Sequence, residues 1–185
     1  MHREKGEFML NMSLNEIRGQ IQINPQNWIN LGTTNCYAYA LGLDIRESRI
    51  CKSAYQPGTI SGVFDPTILR EYFLYSDLIK NIEKDLSALD IFYREINFND
   101  KIDLDEWKIA LFAETYNNDL DVFVSDFHFI RANSKGVWTH KPGYFGSPSK
   151  KDYSSQIITD LEKCDLYLYE YKKCYALRLN KNSNL

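Results

Sequence analysis

Between Ile68 and Leu89 the apolar residues fall at Ile68, Leu69, Tyr72, Phe73, Tyr75, Leu78, Ile79, Ile82, Leu86 and Leu89. Steps of three and four are the period of a helix with one buried face, so this stretch predicts one amphipathic helix or two. Asp65-Pro66 in front of it reads as an N-cap followed by proline in the first turn. Beyond Leu89 the period shortens. Ile91–Phe98, Trp107–Ala113, Val122–Ala132 and Val137–His140 read as strands, and Leu166–Tyr171 and Tyr175–Leu179 as closing strands. Upstream, the loop Gly32-Thr33-Thr34-Asn35 leads into the apolar run Cys36–Leu41, which stops at Gly42. Capping residues in front and glycine behind describe a short helix with Cys36 at its start. Helices first and strands afterwards predict an α+β fold, with N-terminal helices packed on an antiparallel sheet.

At 185 residues the chain is long enough to build one domain with its own core. Its aromatics are numerous, with 13 Tyr, 10 Phe and 3 Trp, which suits a strand-rich core or a lined cleft. The net charge of -3 argues against a phosphate-binding surface and so against nucleic acid as a partner. The longest apolar run, Cys36–Leu41, falls far short of the roughly 20 residues that span a bilayer.

Arg3, Glu4, Lys5 and Glu7 interrupt the first residues, so no secretory h-region is present there, and a cytoplasmic protein is expected. The codons available to Lys5-Gly6-Glu7-Phe8-Met9 can spell a purine-rich bacterial ribosome-binding site before a start codon. The expectation is that residues 1–8 are untranslated leader and that translation begins at Met9. Residues 180–185 are expected to form a flexible tail. Of the four cysteines, Cys36, Cys51, Cys164 and Cys174, none forms a C-x-x-C pair. In a reducing cytosol all four are expected as thiols, the last three as small buried apolar groups.

Candidate chemistry centres on histidine. His2 lies in the suspected leader, and only His128 and His140 remain. They flank one hairpin, with Ser134-Lys135-Gly136 as its loop and glycine at the left-handed position. An odd-numbered loop keeps parity across the turn, so both histidines belong to one face, with Cβ atoms about 7 Å apart as diagonal neighbours. Asp126 shares that face, while Phe127 and Phe129 take the other. Three uses fit these residues. Cys36 can be a nucleophile activated by His128, with His140 or Asp126 orienting the imidazole. Cys36, His128, His140 and Asp126 can be metal ligands, although zinc enzymes more often show a local H-x-x-x-H pair. Or the residues can be structural, in a binding module without chemistry. A helix start favours the thiolate and hence the first use.

Asn35-Cys36-Tyr37-Ala38-Tyr39-Ala40, followed at a distance by Asp126-Phe127-His128-Phe129 and by Trp138-Thr139-His140-Lys141-Pro142-Gly143, resembles the papain-like cysteine peptidase superfamily. Within it the NlpC-like branch is the most similar, over about residues 30–145. The resemblance implies a papain-like fold, a Cys36-His128-His140 triad and hydrolysis of a peptide or peptidoglycan-type amide without metal or organic cofactor. An acyltransferase using the same Cys-His pair is the nearest alternative. The chain departs from the pattern at Asn35, where the branch has Asp, and at Phe129, where small apolar residues follow the base. Asn30 or Asn35 could supply an oxyanion donor, as could the backbone N–H of Cys36. Tyr37, Tyr39 and Trp138 are candidates for lining a cleft or for the core.

Overall fold

The computed structural model describes residues 35–43, 56–63, 73–118, 120–142 and 146–180. The expected Met9 start, the Asp65-Pro66 cap, Cys51, Asn30 and the tail beyond Asn180 lie outside them. Among the described residues the architecture is α+β, with six strands in one antiparallel sheet and two helices. The elements are α1 (Cys36–Leu41), β1 (Phe73–Leu74), α2 (Tyr75–Ala88), β2 (Ile91–Ile96), β3 (Trp107–Asn117), β4 (Val122–Ala132), β5 (Trp138–His140) and β6 (Glu170–Leu179). Sheet order is β1-β4-β3-β6-β2, with β5 also paired to β4. No described helix is long and apolar enough to cross a membrane.

Helix α1 forms for the reasons its ends suggest. Asn35 has extended backbone, and its side-chain oxygen accepts from the Ala38 amide at 2.8 Å. Gly42 takes φ 78°, which lets its N–H reach Tyr39 O and lets Leu43 N reach Ala38 O, satisfying carbonyls the helix end would otherwise orphan. Residues 37–41 are all buried, so α1 has no polar face and is a core helix. The helix-periodic stretch is realised as α2 only from Tyr75. Phe73 and Leu74 instead pair with Val124 and Phe123 of β4. Leu78, Ile82 and Leu86 of α2 face the sheet.

Strand β3 is central and buried on both sides. Trp107, Ile109 and Leu111 join one apolar cluster with α1, α2 and Phe129; Ala110 and Phe112 join a second with Ile130, Trp138, Ile158, Leu161 and Leu166. We call these the helix face and the loop face. The two closing strands expected from the pattern are one strand, β6, and Leu166 lies in the irregular stretch before it.

One irregularity shapes the site. The β3–β4 register passes from Glu114↔Asp126 to Thr115↔Val124, leaving Ser125 as an extra residue on β4. A bulge reverses the alternation of side chains and bends the strand. Val124 and Phe127 therefore both face the helices, and Asp126 and His128 turn to the loop face. The same bend divides the outer edge of β4. Among the described residues, β1 covers Phe123 and Val124, β5 covers Ile130 to Ala132, and no strand pairing is made along this edge by residues 125–129.

Candidate functional site

His128 and His140 are brought into direct contact. Ile130 pairs with His140, so His128 is the diagonal neighbour on the same face. The loop between β4 and β5 runs from Asn133 to Val137, five residues rather than the three expected. Both lengths are odd, so parity is unchanged. Asn133 closes the loop by accepting from Lys135 N and Val137 N, and Gly136 supplies the φ of 73°. The imidazole rings cross at 88° with centroids 5.3 Å apart.

Their hydrogen bonds fix a proton order. His140 Nε2 lies 2.8 Å from the carbonyl oxygen of Lys151. A carbonyl only accepts, so this nitrogen carries the hydrogen, and in neutral His140 the Nδ1 is a bare acceptor. His128 Nε2, 3.1 Å away, must then donate to it. The remaining nitrogen of neutral His128, Nδ1, is left with its lone pair. His140 is itself held by a pair of backbone bonds to Ser149, both 2.8 Å, and Tyr153 packs edge-on against its ring. Tyr169 stacks on His128 with an interplanar angle of 23°.

Cys36 approaches the edge of β4 between β1 and β5 from the helix face. Tyr37 packs its ring 4.8 Å from Phe129, and the Tyr39 hydroxyl donates to Thr139 Oγ1 at 2.8 Å. The C-terminal end of α1 is tied down by Arg131, which donates to Tyr39 O at 3.0 Å, and by Trp107 Nε1, which donates to Ala40 O at 3.2 Å. These contacts set the helix so that the half-buried thiol faces the backbone amide of Phe129, the residue directly after His128. A negative charge on Cys36 would raise Tyr153 and Tyr169, which pack on the histidine rings. The thiol thus sits at the β4 edge and packs with the helix-face cluster, while the two histidines bond to each other and to Lys151 on the loop face.

The electrostatics differ from expectation. A helix start was expected to favour the thiolate. Burial instead pushes the Cys36 thiol up to about 11, with Asp126 adding to the rise. The amides of Phe129, Tyr37 and Cys36 oppose this without overcoming it. α1 has only six residues, so its macrodipole is small. Burial and the neighbouring His140 take His128 down to about 3, and burial lowers His140 as well. At neutral pH the Cys36 thiol is uncharged, and so is the His128–His140 imidazole pair.

Asp126 is not bonded to His128. It accepts from the Tyr169 hydroxyl at 2.6 Å and from the Phe127 amide at 2.8 Å. Asn35 spends its side-chain oxygen on the helix cap. Tyr37, Tyr39 and Trp138 are core residues, not cleft linings. Tyr37 donates to buried Asp85, Tyr39 to Thr139, and Trp138 packs in the loop-face cluster. Cys164 and Cys174 are free thiols packed in that same cluster. Among the described residues no three His, Cys, Asp or Glu side chains are grouped to hold a metal ion. Lys141, quoted in the sequence motif without a role, is fully buried beside the site, as is Arg131. A cation's burial has no local signature, so neither could be singled out from the sequence.

Compared with family models, with curated proteins and with solved structures, the chain matches none of them.

Proposed function

We propose that the protein is a cysteine hydrolase of amide bonds, of the papain-like kind and most similar to the NlpC-like branch. The observation that carries the reading is the proton order Lys151 O, His140, His128. It leaves a lone pair on His128 Nδ1, the nitrogen a base needs, while His140 occupies the orienting position. Cys36 lies at the adjoining strand edge, against the Phe129 amide.

In this mechanism the substrate carbonyl enters beside Cys36. The Sγ proton passes to His128 Nδ1 as sulfur attacks carbon, and the carbonyl π pair moves to oxygen. The resulting imidazolium is stabilised by its Nε2–H bond to His140. Backbone N–H groups at the start of α1 are the available donors to the oxyanion. Collapse expels the amine, which takes the proton from His128, and leaves a thioester. Water, deprotonated by His128, then cleaves the thioester and restores the thiol. The neutral resting pair means that proton transfer accompanies attack rather than preceding it. Acyl transfer to an amine in place of water would use the same steps.

The test is hydrolysis of a panel of peptide and peptidoglycan-fragment amides by the wild type, Cys36→Ala and His128→Ala. Turnover lost in both variants, with folding retained, supports the reading. Turnover surviving in Cys36→Ala, or a complete absence of acyl-enzyme on Cys36 with activated esters, overturns it in favour of a binding module.

A further inference from the structure

A histidine ring keeps one soft torsion about its Cβ–Cγ bond, with a broad energy well. The bond between His128 Nε2 and His140 Nδ1, 3.1 Å, restrains that torsion poorly. Nε2 lies close to the rotation axis, so turning the ring moves it little. Nδ1, the nitrogen left with its lone pair, lies further from the axis and swings with the ring. The hydrogen bond therefore fixes the tautomer and leaves the ring plane open. A plane is held by a surface laid against it, and Tyr169 supplies one. Its ring lies 23° from parallel to the His128 imidazole, with centroids 5.8 Å apart.

Tyr169 is itself held at both ends. At its tip the hydroxyl donates to Asp126 Oδ2 at 2.6 Å, and the other oxygen of that carboxylate accepts from the Phe127 amide at 2.8 Å. At its base, the next residue, Glu170, opens β6 and pairs with Ala113 of β3, which pairs in turn with Phe127 of β4. The side chain thus starts at β6 and reaches across β3 to Asp126 and His128 on β4. The turn in front of it delivers it there. Leu166 is buried in the loop-face cluster, and its carbonyl accepts from Tyr169 N at 3.4 Å. Between them Tyr167 takes φ 68°, a left-handed conformation that strains a bulky residue, and its amide donates to Asp165 Oδ1 at 3.1 Å. Tyr167 is 77% exposed, so burial of its own ring does not offset the strain. What the strained turn secures is the placing of its ends, Leu166 in the core and Tyr169 on His128.

We propose that Tyr169 is a positioning residue, its ring fixing the plane of the His128 imidazole and so the direction of the Nδ1 lone pair; this rests on the reading of His128 as the base for Cys36. His140 sets the tautomer and Tyr169 sets the plane. Asp126 acts one step further back, as the anchor of the Tyr169 hydroxyl.

Acylation of Cys36 by p-nitrophenyl acetate at pH 7 tests this, with the acetyl group mapped to Cys36 by peptide mass. Sulfur bonds to the ester carbon, p-nitrophenolate leaves, and the thiol proton passes to His128. Rates are compared for the wild type, Tyr169→Leu, Tyr169→Phe, His128→Ala and the double variants of His128→Ala with each Tyr169 change. Tyr169→Leu should acylate about tenfold more slowly, the cost of a misdirected base. Tyr169→Phe keeps the ring and loses its anchor, so it should recover to within a few-fold of the wild type. With His128→Ala already in place, neither Tyr169 change should slow the reaction further, because no imidazole remains to be positioned. A merely structural ring would give the same loss in both backgrounds. Equal rates in the wild type and folded Tyr169→Leu, or an equal loss with and without His128, overturn the proposal. If Tyr169→Leu does not fold, Tyr169→Phe takes its place: its few-fold loss should vanish in the His128→Ala background, and no loss or an equal loss overturns the proposal. A His128→Ala rate equal to that of the wild type overturns the Cys-His reading itself, and the role of Tyr169 with it.

Discussion

Tyr169 donates its hydroxyl to Asp126 at 2.6 Å while its ring lies flat against His128, 5.8 Å between centroids. One residue thus engages the only carboxylate on the histidine face of β4 and covers the imidazole. His140 is left as the side chain bonded to His128.

That arrangement ranks the two possible orienting residues. His140→Ala should lower kcat/KM by on the order of 10²-fold, since the imidazole loses the acceptor that sets its tautomer. His140→Asn should fall between, because an amide oxygen can accept from His128 Nε2. Asp126→Ala should stay within a few-fold of the wild type. Steady-state rates on one amide substrate check all three. An Asp126→Ala loss exceeding that of His140→Ala would reverse the assignment.

The buried imidazoles make stability acid-sensitive. Folded His128 binds its proton only near pH 3, whereas an unfolded histidine does so near 6.5. Between those values the unfolded chain holds a proton the folded chain lacks, so unfolding becomes easier as pH falls. The slope is about 1.4 kcal/mol per pH unit for one such group, and His140 shifts in the same direction. Urea unfolding at pH 7, 6 and 5 should show this decline, and His128→Gln should flatten it. An equal slope in the variant would place the acid sensitivity elsewhere.

Asp85 links α2 to the residues beneath the site. Its Oδ2 accepts from Tyr37 Oη at 3.1 Å and Gly58 N at 2.7 Å, and its Oδ1 accepts from Ser61 N and Ser61 Oγ, both at 2.7 Å. Burial raises its pKa despite these four bonds. Asp85→Ala strands buried donors and should cost roughly 2–4 kcal/mol in urea unfolding. Asp85→Asn should not rescue it, because the amide NH₂ would confront donors on one side. Full stability in the Asn variant would show that one oxygen suffices.

Cys36 should alkylate before Cys164 and Cys174. Burial pushes Cys36 and Cys164 alike up to about 11 and Cys174 up to about 12, so the order of the first two rests on their neighbours. Cys36 has three backbone amides and one opposing aspartate, Asp126, against one amide and three opposing aspartates, Asp152, Asp160 and Asp165, at Cys164. With the Cys36 thiol at about 11, its rate should climb nearly tenfold per pH unit through the neutral range rather than level off near pH 7. Timed labelling with peptide mapping measures both the order and the slope. A plateau near neutrality would indicate a preformed thiolate–imidazolium pair.

The sequence by itself determined what depends on near neighbours. Asn35 and Gly42 delimit α1 because a cap and a left-handed stop act within one turn. Val122–Ala132 is legible as β4 from its own residues, and His128 and His140 fall on one face because parity survives any odd loop. Helical spacing also ran through Phe73 and Leu74, but pairing with β4 outweighed it, since propensity is weak against a ladder of hydrogen bonds. Leu166 reads as a strand residue from its neighbours, and it packs from the irregular stretch before β6. Only the tertiary structure decided the rest. The extra residue Ser125 shifts the register of β4, a consequence of how β3 pairs with it. Whether Cys36 is an anion depends on how deeply it is buried. The carbonyl of Lys151 that sets the tautomers and the Tyr169 bond that occupies Asp126 join residues distant in the chain. Hydrogen-bond partners and desolvation are properties of surroundings, and those exist only once the sheet has assembled.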